Sequence, residues 1–393
     1  MPEDFMKLAL DLAFSRAGYT SPNPTVGAVV VKDGVAVGRG FHPRAGEPHA
    51  EIFALDEAGE RARGATLYVT LEPCCHFGRT PPCTRRIIAA GIKKVVAATV
   101  DPNPKVAGKG LEELRRAGIE VEAGVLEAEA RALNEAFFKY ITTGLPFVTL
   151  KMAMSMDGRT ATASGDSRWI TGPEARADVH RLRAESDAVM VGVGTVLKDD
   201  PELTARLAPV KKGQPLRIVV DSRARTPVQA RVVGALPGTI PGLAESSNPG
   251  EGTIIAVTDL APKANLEALA AAGVRVLTVK ATPEGRVDLP GLLAALGRLK
   301  IVSVLCEGGA ELAGHLMRQN LVDKFRFYLA PKIIGGAGAY GVLDGPDIDS
   351  MGQAIPVEGL RVSQIGADLV IEGYPVMESY SVMEGYPRKL RDQ

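Results

Sequence analysis

The chain has few aromatic residues: they fill 5% of its 393 positions and include a single Trp. Apolar burial must therefore rest on Ala, Val, Leu and Ile, and a core built mainly from large rings is excluded. Surplus charge is also missing. The 46 basic residues are cancelled by 46 acidic ones, and the balance holds on either side of residue 145 as well as overall. A protein that grips polynucleotide through many phosphates shows a basic excess or a basic stripe. Neither is present, so nucleic acid is not expected as a partner, whereas a small phosphorylated substrate needs only a few basic groups. No apolar run approaches the roughly 18 residues that a membrane span requires, and no membrane partner is expected. The opening Met1-Pro2-Glu3-Asp4 lacks the basic and apolar regions of a signal peptide. Cysteines are scarce too, with four at positions 74, 75, 83 and 306. An oxidised scaffold would spread its cysteines along the chain. Three clustered cysteines near a His point instead to a metal in a reducing compartment, and the expected location is cytoplasmic.

What is present fits a soluble globular α/β protein of more than one domain. The length exceeds that of one ordinary core. The 46% hydrophobic and 23% charged content is typical of globular chains, and 43 Gly with 27 Pro imply many tight turns. Phe5, Leu8, Leu12 and Ala13 give a helical period over 3–17. Val26–Val31 and Val35–Gly40 flank Lys32-Asp33-Gly34 as a hairpin. A helix over 49–61, strands at 66–70 and 94–99 and a helix at 84–90 follow. Thr142-Thr-Gly-Leu-Pro146 breaks this series like a linker. A second series of strands and helices begins at Phe147, with strands at 147–154, 188–193, 216–220, 254–257, 274–279, 301–306, 324–329 and 369–371. Its helices are expected at 173–184, 289–299 and 310–319. The division expected is therefore 1–145, 146–372 and a C-terminal tail at 373–393. The stretch 235–252, rich in Pro, Gly and Ser, is expected to be a surface loop, and the tail carries Glu-Gly-Tyr-Pro at 372–375 and again at 384–387.

The chemistry of the first domain concentrates in His49-Ala50-Glu51, Pro73-Cys74 and Pro82-Cys83. One imidazole and two thiolates leave a fourth tetrahedral position open on zinc, the arrangement of a catalytic site in which water is activated. Glu51 is placed to carry the protons, and a helix start at Cys83 favours thiolate. On a regular helix residues 49 and 51 would lie about 200° apart, so spacing alone does not bring both to one metal. These residues resemble the zinc-dependent cytidine/deoxycytidylate deaminase superfamily, whose signature pairs His-x-Glu with Pro-Cys and a later Cys. Eight residues separate Cys74 from Cys83 in Thr70-Leu-Glu-Pro-Cys-Cys-His-Phe-Gly-Arg-Thr-Pro-Pro-Cys83. That long loop is similar to the riboflavin-pathway deaminases, in which position 75 is generally a small hydroxyl residue; Cys75 departs from this. The resemblance implies a three-layer αβα domain and one zinc per chain held by His49, Cys74 and Cys83, with Glu51 catalytic. Ser21-Pro-Asn23-Pro-Thr-Val-Gly27 resembles the substrate-side loop of the family. Asn23 either reads a pyrimidine edge or caps a turn fixed by Pro. His42 and His76 are substrate contacts or loop histidines, Asp101 and Asn103 of Asp-Pro-Asn-Pro are family matches or a turn, and Cys306 is a core residue.

The second domain holds several short motifs in series: Lys151-Met-Ala-Met-Ser-Met-Asp-Gly158, Asp166-Ser-Arg-Trp-Ile-Thr171, Gly192-Val-Gly-Thr-Val-Leu-Lys-Asp-Asp-Pro201 and Glu307-Gly-Gly-Ala310. In the last, two glycines before a helix allow close approach of a pyrophosphate to backbone amides. It is not the Gly-x-Gly-x-x-Gly of Rossmann domains. In this order the motifs resemble the reductase domain of the bifunctional riboflavin-biosynthesis deaminase/reductase family, which has the dihydrofolate-reductase α/β fold and uses NADPH. The resemblance implies that Ala153, Trp169, Thr195, Asp199 and Ser222 contact the cofactor, and that Gly309, Ala310, Glu311, Leu312, Ala313, Gly314 and His315 form its pyrophosphate site. It further implies that Ser167, Arg183, Leu203, Arg206 and Glu307 hold a phosphoribosylamino substrate. Guanidinium groups grip phosphate bidentately, which suits Arg183 and Arg206 independently. Lys151 is a candidate polar group at the hydride-transfer site. Asp221-Ser222-Arg223-Ala-Arg225 follows the strand at 216–220. There Ser222 and the arginines favour the ribose phosphate of NADPH, while Asp221 keeps the free ribose of NAD open.

The expected function is therefore hydrolytic deamination of a diaminopyrimidinone bearing phosphoribosylamine, followed by NADPH-dependent reduction of its ribosyl group to ribityl. The partners are small phosphorylated pyrimidines, and a homodimer or homotetramer is expected from the family. Two other readings stay open: a nucleic-acid-editing deaminase, and a deaminase carrying a noncatalytic nucleotide-sensing second domain.

Overall fold

A computed structural model describes residues 2–78, 81–206, 213–234, 252–345 and 347–376. Nearly all of the expected loop at 235–252 and the tail beyond Val376 lie outside the described residues, as do Arg79 and Thr80 of the cysteine loop. The chain divides into two compact units, Met1–Pro146 joined by Gly297–Val302, and Phe147–Leu296 joined by the residues from Ser303.

The first unit runs α1 (Pro2–Phe14), β1 (Gly27–Lys32), β2 (Val35–Phe41), α2 (Ala50–Ala58), β3 (Thr66–Val69), α3 (Cys83–Ala89), β4 (Lys94–Ala97), α4 (Lys109–Arg116), β5 (Glu120–Ala123), α5 (Glu127–Leu133) and α6 (Glu135–Thr143). Its sheet has the order β2-β1-β3-β4-β5. The β1–β2 hairpin turns at Asp33 and Gly34, both at positive φ, as a two-residue turn between paired Lys32 and Val35 demands. The period of 2 in β1 generates the layers. Ala28 and Val30 pack with Ala50, Ala54 and Leu55 of α2, Ile87 of α3 and Leu114 of α4. Val29 and Val31 pack with Met6, Ala9 and Leu10 of α1 and Ala130 of α5. Helices thus cover both faces, giving the three-layer αβα arrangement. The approach of α2 is close because Gly38 and Gly40 of β2 carry no side chain. A Cβ at Gly40 would fall 2.1 Å from the Ala50 carbonyl, and one at Gly38 2.1 Å from that of Ala54. These two glycines seat the first turn of α2, which carries Glu51, directly on the sheet.

The second unit contains β6 (Phe147–Ser155), β7 (Arg159–Ala161), α7 (Pro173–Glu185), β8 (Ala188–Gly192), α8 (Val193–Asp199), β9 (Leu216–Val220), β10 (Thr253–Val257), α9 (Lys263–Ala271), β11 (Arg275–Thr278), α10 (Leu289–Arg298), β12 (Ser303–Cys306), α11 (Ala310–Arg318), β13 (Lys324–Ala330), β14 (Tyr340–Gly341), β15 (Val357–Ile365) and β16 (Asp368–Pro375). Nine of the strands form one sheet in the order β11-β10-β9-β8-β12-β6-β13-β16-β15. It is parallel from β11 to β13, and β16 and β15 close it antiparallel. Strands such as β8 and β10 are buried almost throughout, which is why they read as continuous apolar runs.

Helices α4, α5, α6, α8 and α9 and strands β5, β7 and β14 were not expected, and three further differences bear on the layout. Val193 opens α8 rather than ending a strand, because Gly192 is extended and serves as the helix N-cap. The nine-residue β15 was not foreseen; its residues are exposed almost to its end and show no apolar alternation to betray a strand. Finally, β16 continues through Pro375, so the ordered sheet passes the boundary expected at 372.

Candidate active sites

In the first unit the metal-ligand candidates meet. The ligand atoms of His49, Cys74 and Cys83 all lie within 4.8 Å of one another. His49 Nδ1 is 3.2 Å from Cys83 Sγ and 3.5 Å from Cys74 Sγ. Cys75 is turned away, its Sγ 4.0 Å from the Lys105 carbonyl. The angular objection to His49 and Glu51 disappears because His49 is not helical. It is the N-cap of α2, extended at φ −76 and ψ 164, so its ring and the Glu51 carboxyl are not bound by the helical period. Cys83 begins α3, and its amide donates to Cys74 Sγ at 3.4 Å. Hydrogen bonding from the Cys83 thiol, with further help from His49, pulls the Cys74 thiol down, while the same bond to Cys74 and burial push Cys83 up. The helix-start argument alone favours thiolate at Cys83, whereas its bond to Cys74 and its burial work the other way. One nitrogen and two sulfurs at this spacing suit zinc and leave its fourth position free. Glu51 is 3% exposed, and burial raises its pKa above that of an ordinary carboxyl, the direction that suits a group passing protons.

Around this cluster, Asn23 Nδ2 lies 3.0 Å from His42 Nε2, and the His42 ring meets that of His49 edge-on at 5.3 Å. Asp101 and Asn103 both shape a turn: Asp101 Oδ1 accepts the Asn103 amide and Asn103 Oδ1 accepts that of Lys105. Burial lifts the Asp101 carboxyl to about 6. His76 stays on the cysteine loop, its Nδ1 without a hydrogen-bond partner among the described residues. A residue that the sequence reading missed is Glu72. Its buried carboxylate accepts four backbone N–H groups, from Asp101, Gly108, Gly110 and Leu111, at 2.8–3.1 Å. It thereby ties the 101–111 segment to the residues that present Cys74. The only signal in the sequence was an acidic residue inside an otherwise apolar strand end.

In the second unit, Gly308 and Gly309 both take positive φ before α11, and Thr195 Oγ1 of α8 lies 3.6 Å from where a Cβ at Gly309 would stand. Only glycine gives this bare turn of amides at the helix start, which fits a pyrophosphate. Ala310, Leu312 and Ala313 belong to the same helix. Gly314 has a different task, since a Cβ there would meet the Asp344 carbonyl at 1.4 Å. Glu311 and His315 both contact Arg286, a residue not anticipated at this edge. Ser222 Oγ accepts the Val287 amide, and Arg223 donates to the Leu260 carbonyl. Asp221 does not reach this surface. It is fully buried, with Oδ2 taking the amide and hydroxyl of Thr226, so the NAD reading loses its acidic partner. Ala153 lies half-buried on β6. Trp169 is 65% exposed beneath Arg176. Asp199 ends α8 and accepts Arg168 through its carbonyl.

Two expected substrate residues bind each other. Arg183 of α7 forms a fork with Glu307 after β12, Nε to Oε1 at 2.5 Å and Nη2 to Oε2 at 2.7 Å, and its Nη1 donates to the Thr204 carbonyl. Its bidentate face is therefore taken, which corrects the picture of Arg183 as a free phosphate clamp. Burial opposes ionisation of Glu307, yet the Arg183 charge outweighs it and holds the carboxyl below its usual range. Lys151 of β6 shares this cluster, its pKa lowered by burial and its ammonium 5.7 Å from the Tyr328 ring. Arg206 is more exposed and pairs with Glu202. Ser167 is half-buried, and Leu203 buries its side chain in the core at φ 55, leaving only its backbone for a ligand.

Breaking one member of a buried pair strands the other charge. Glu307→Gln is expected to destabilise the second unit by about 3–5 kcal/mol, lowering its calorimetric Tm on the order of 10 °C. The double replacement Arg183→Met with Glu307→Leu should recover most of that loss; equal Tm values for the single and double variants would contradict the pairing.

Comparison with known proteins agrees with this geometry. Residues 1–99 match the model of the cytidine and deoxycytidylate deaminase zinc-binding region, and residues 146–371 that of the RibD C-terminal domain. Riboflavin biosynthesis protein RibD of Aquifex aeolicus is 48% identical over 94% of this chain and 97% of its own. RibD of Escherichia coli is 44% identical over 94% and 98%. The solved structure of Acinetobacter baumannii RibD superposes with a TM-score of 0.82 at 41% identity, covering 96% of this chain and 99% of that one. The second unit is thus a reductase domain rather than a sensor, and the chain belongs to the RibD family of bifunctional riboflavin-biosynthesis deaminase/reductases.

Proposed function

We propose that this enzyme deaminates 2,5-diamino-6-(5-phosphoribosylamino)pyrimidin-4(3H)-one in its first unit and reduces the ribosyl group of 5-amino-6-(5-phosphoribosylamino)uracil in its second. The solved Thermotoga maritima relative, 36% identical, carries both activities in its name. The observation that carries the reading is the convergence of His49, Cys74 and Cys83 beside buried Glu51. Those three residues would hold zinc, and zinc when bound supplies the Lewis acidity that makes water nucleophilic at neutral pH. Glu51 takes a proton from the attacking water and delivers it to the departing amine, a transfer that its raised pKa suits. Asn23 reads the pyrimidine edge.

The reductase uses NADPH, which supplies the hydride. The amides at Gly309 and Ala310 would receive its pyrophosphate, Thr195 borders that turn, and Ser222 with Arg223 would hold the ribose phosphate. Arg206 would meet the substrate phosphate. The Arg183–Glu307 pair keeps Lys151 in a charged surrounding, so that as the hydride reaches the carbon the ammonium can steady the negative charge developing on the oxygen or nitrogen of the reduced bond and donate a proton to that atom. We further infer a cytoplasmic homo-oligomer, dimer or tetramer. Val357, Leu360 and Val362 lie exposed on β15, the edge strand, and support that inference.

Four measurements test these assignments. Metal analysis should find one zinc per chain in wild type and Cys75→Ser but none in Cys74→Ser. Glu51→Gln should keep its zinc and lose deamination by orders of magnitude, while reduction of supplied deaminated intermediate continues; near-normal deamination would remove Glu51 from the mechanism. For the cofactor, Ser222→Ala with Arg223→Ala should weaken NADPH binding by about 1–3 kcal/mol, read directly from nucleotide fluorescence, and leave NADH little changed. Equal loss of both nucleotides would refute the phosphate role. Light scattering should report a mass above the 41.4 kDa of one chain.

A further inference from the structure

We propose that His42 is a positioning residue: it fixes the Asn23 carboxamide so that its oxygen, not its NH2 group, faces the pyrimidine. This deepens the deaminase reading above and rests on it. The argument follows the polarity of two hydrogen bonds. His42 Nδ1 is 3.0 Å from the Pro48 carbonyl. A carbonyl only accepts, so Nδ1 carries the hydrogen, and in the neutral ring Nε2 is then a bare lone pair. Asn23 Nδ2 stands 3.0 Å from that lone pair and donates to it. The amide oxygen, on the other side of the same carbon, is turned away from the ring, and it has no partner among the described residues.

The remaining freedom of this loop has already been removed. The Thr25 amide donates to Asn134 Oδ1 at 2.7 Å, Asn134 Nδ2 donates to the Thr25 carbonyl at 2.9 Å, and the Thr20 and Thr25 hydroxyls pair at 3.0 Å. His42 is anchored in turn: its own amide donates to the Val26 carbonyl at 2.9 Å, and the residue is 2% exposed. Only the rotation of the Asn23 side chain is left open, and the imidazole selects one of its two faces. Both ring nitrogens are occupied, so His42 has neither a donor nor an acceptor to offer the substrate. The polarity of the Pro48 carbonyl, one residue before His49, is thereby relayed to Asn23, whose oxygen is matched to a ring N–H of a pyrimidinone and mismatched to a ring carbonyl.

The two amide residues separate the two ring nitrogens. Gln at 42 can place a carbonyl oxygen near the Nε2 position and accept from Asn23. Asn at 42 keeps a donor near Nδ1 for Pro48 and loses Asn23. In zinc-replete enzyme, kcat and KM for deamination should fall little in His42→Gln. In His42→Asn, kcat/KM should fall about tenfold, the worth of one lost hydrogen bond. Placed in an Asn23→Ala background, His42→Asn should cost nothing further. An equal loss in both backgrounds, or a Gln variant as impaired as the Asn variant, would show that His42 acts directly and would overturn the proposal. Wild-type kcat/KM in Asn23→Ala alone would instead overturn the assignment of Asn23 to the substrate. Nitrogen-15 NMR of the wild-type holoenzyme provides a test free of mutation: His42 must be the Nδ1–H tautomer, and a protonated Nε2 would refute the relay.

Discussion

A carboxylate taken out of water must be answered within a few ångströms, and both halves of this enzyme are arranged around that demand. In the first unit Glu72 is answered by backbone alone, four amides drawn from a segment that begins 29 residues later. Because Pro73 and Cys74 follow immediately, the same carboxylate that folds the 101–111 segment also sets where a metal-binding thiol emerges. In the second unit Glu307 is answered by Arg183, and their fork joins α7 to the end of β12 beside Lys151. Glu51 is the exception. It is as buried as Glu72 but has a thiol and an imidazole for neighbours rather than a fence of amides, and burial raises its pKa. Structural and reactive carboxyls in this chain differ in what surrounds them, not in how deeply they lie.

Much of this was legible beforehand, for physical reasons. Strands such as β8 and β10 are buried on both faces and rich in Val and Ile, so they announce themselves without long-range information. The metal cluster is legible because each ligand sits at an element boundary with its own punctuation, Pro before both cysteines and a helix start after His49. What escaped has the opposite character. Strand β15 has no buried face to imprint a period on its sequence. Glu72 finds its partners among main-chain amides, which no side-chain pattern encodes. Arg183 and Glu307 were each read as substrate contacts, and a single sequence does not reveal that residues 124 positions apart satisfy one another. Asp221 looked like a surface acid because of its neighbours Ser222 and Arg223, whereas it is spent on Thr226 inside the turn.

The glycines show how tightly the catalytic elements are placed. At Gly38 and Gly40 the missing side chain lets α2 rest on β2, and at Gly308 and Gly309 it bares the amides before α11. In one case absence of a Cβ brings a helix closer to a sheet, and in the other it opens space for a ligand. Both place a helix start at a candidate site.

The strand order of the second unit also has a consequence for how the protein is made. Strand β6 is its first to be synthesised, yet it lies between β12 and β13, both near the end of the chain. On the ribosome it must wait, an apolar ribbon without neighbours, until Ser303–Cys306 emerges to pair with it. Over the same interval Arg183 has been made and Glu307 has not. The sheet of the first unit lies wholly before Phe147, and only Gly297–Val302 join that unit later. The strands of the second unit therefore stay unpaired for longer than those of the first, the condition under which apolar segments of a nascent chain are prone to aggregate.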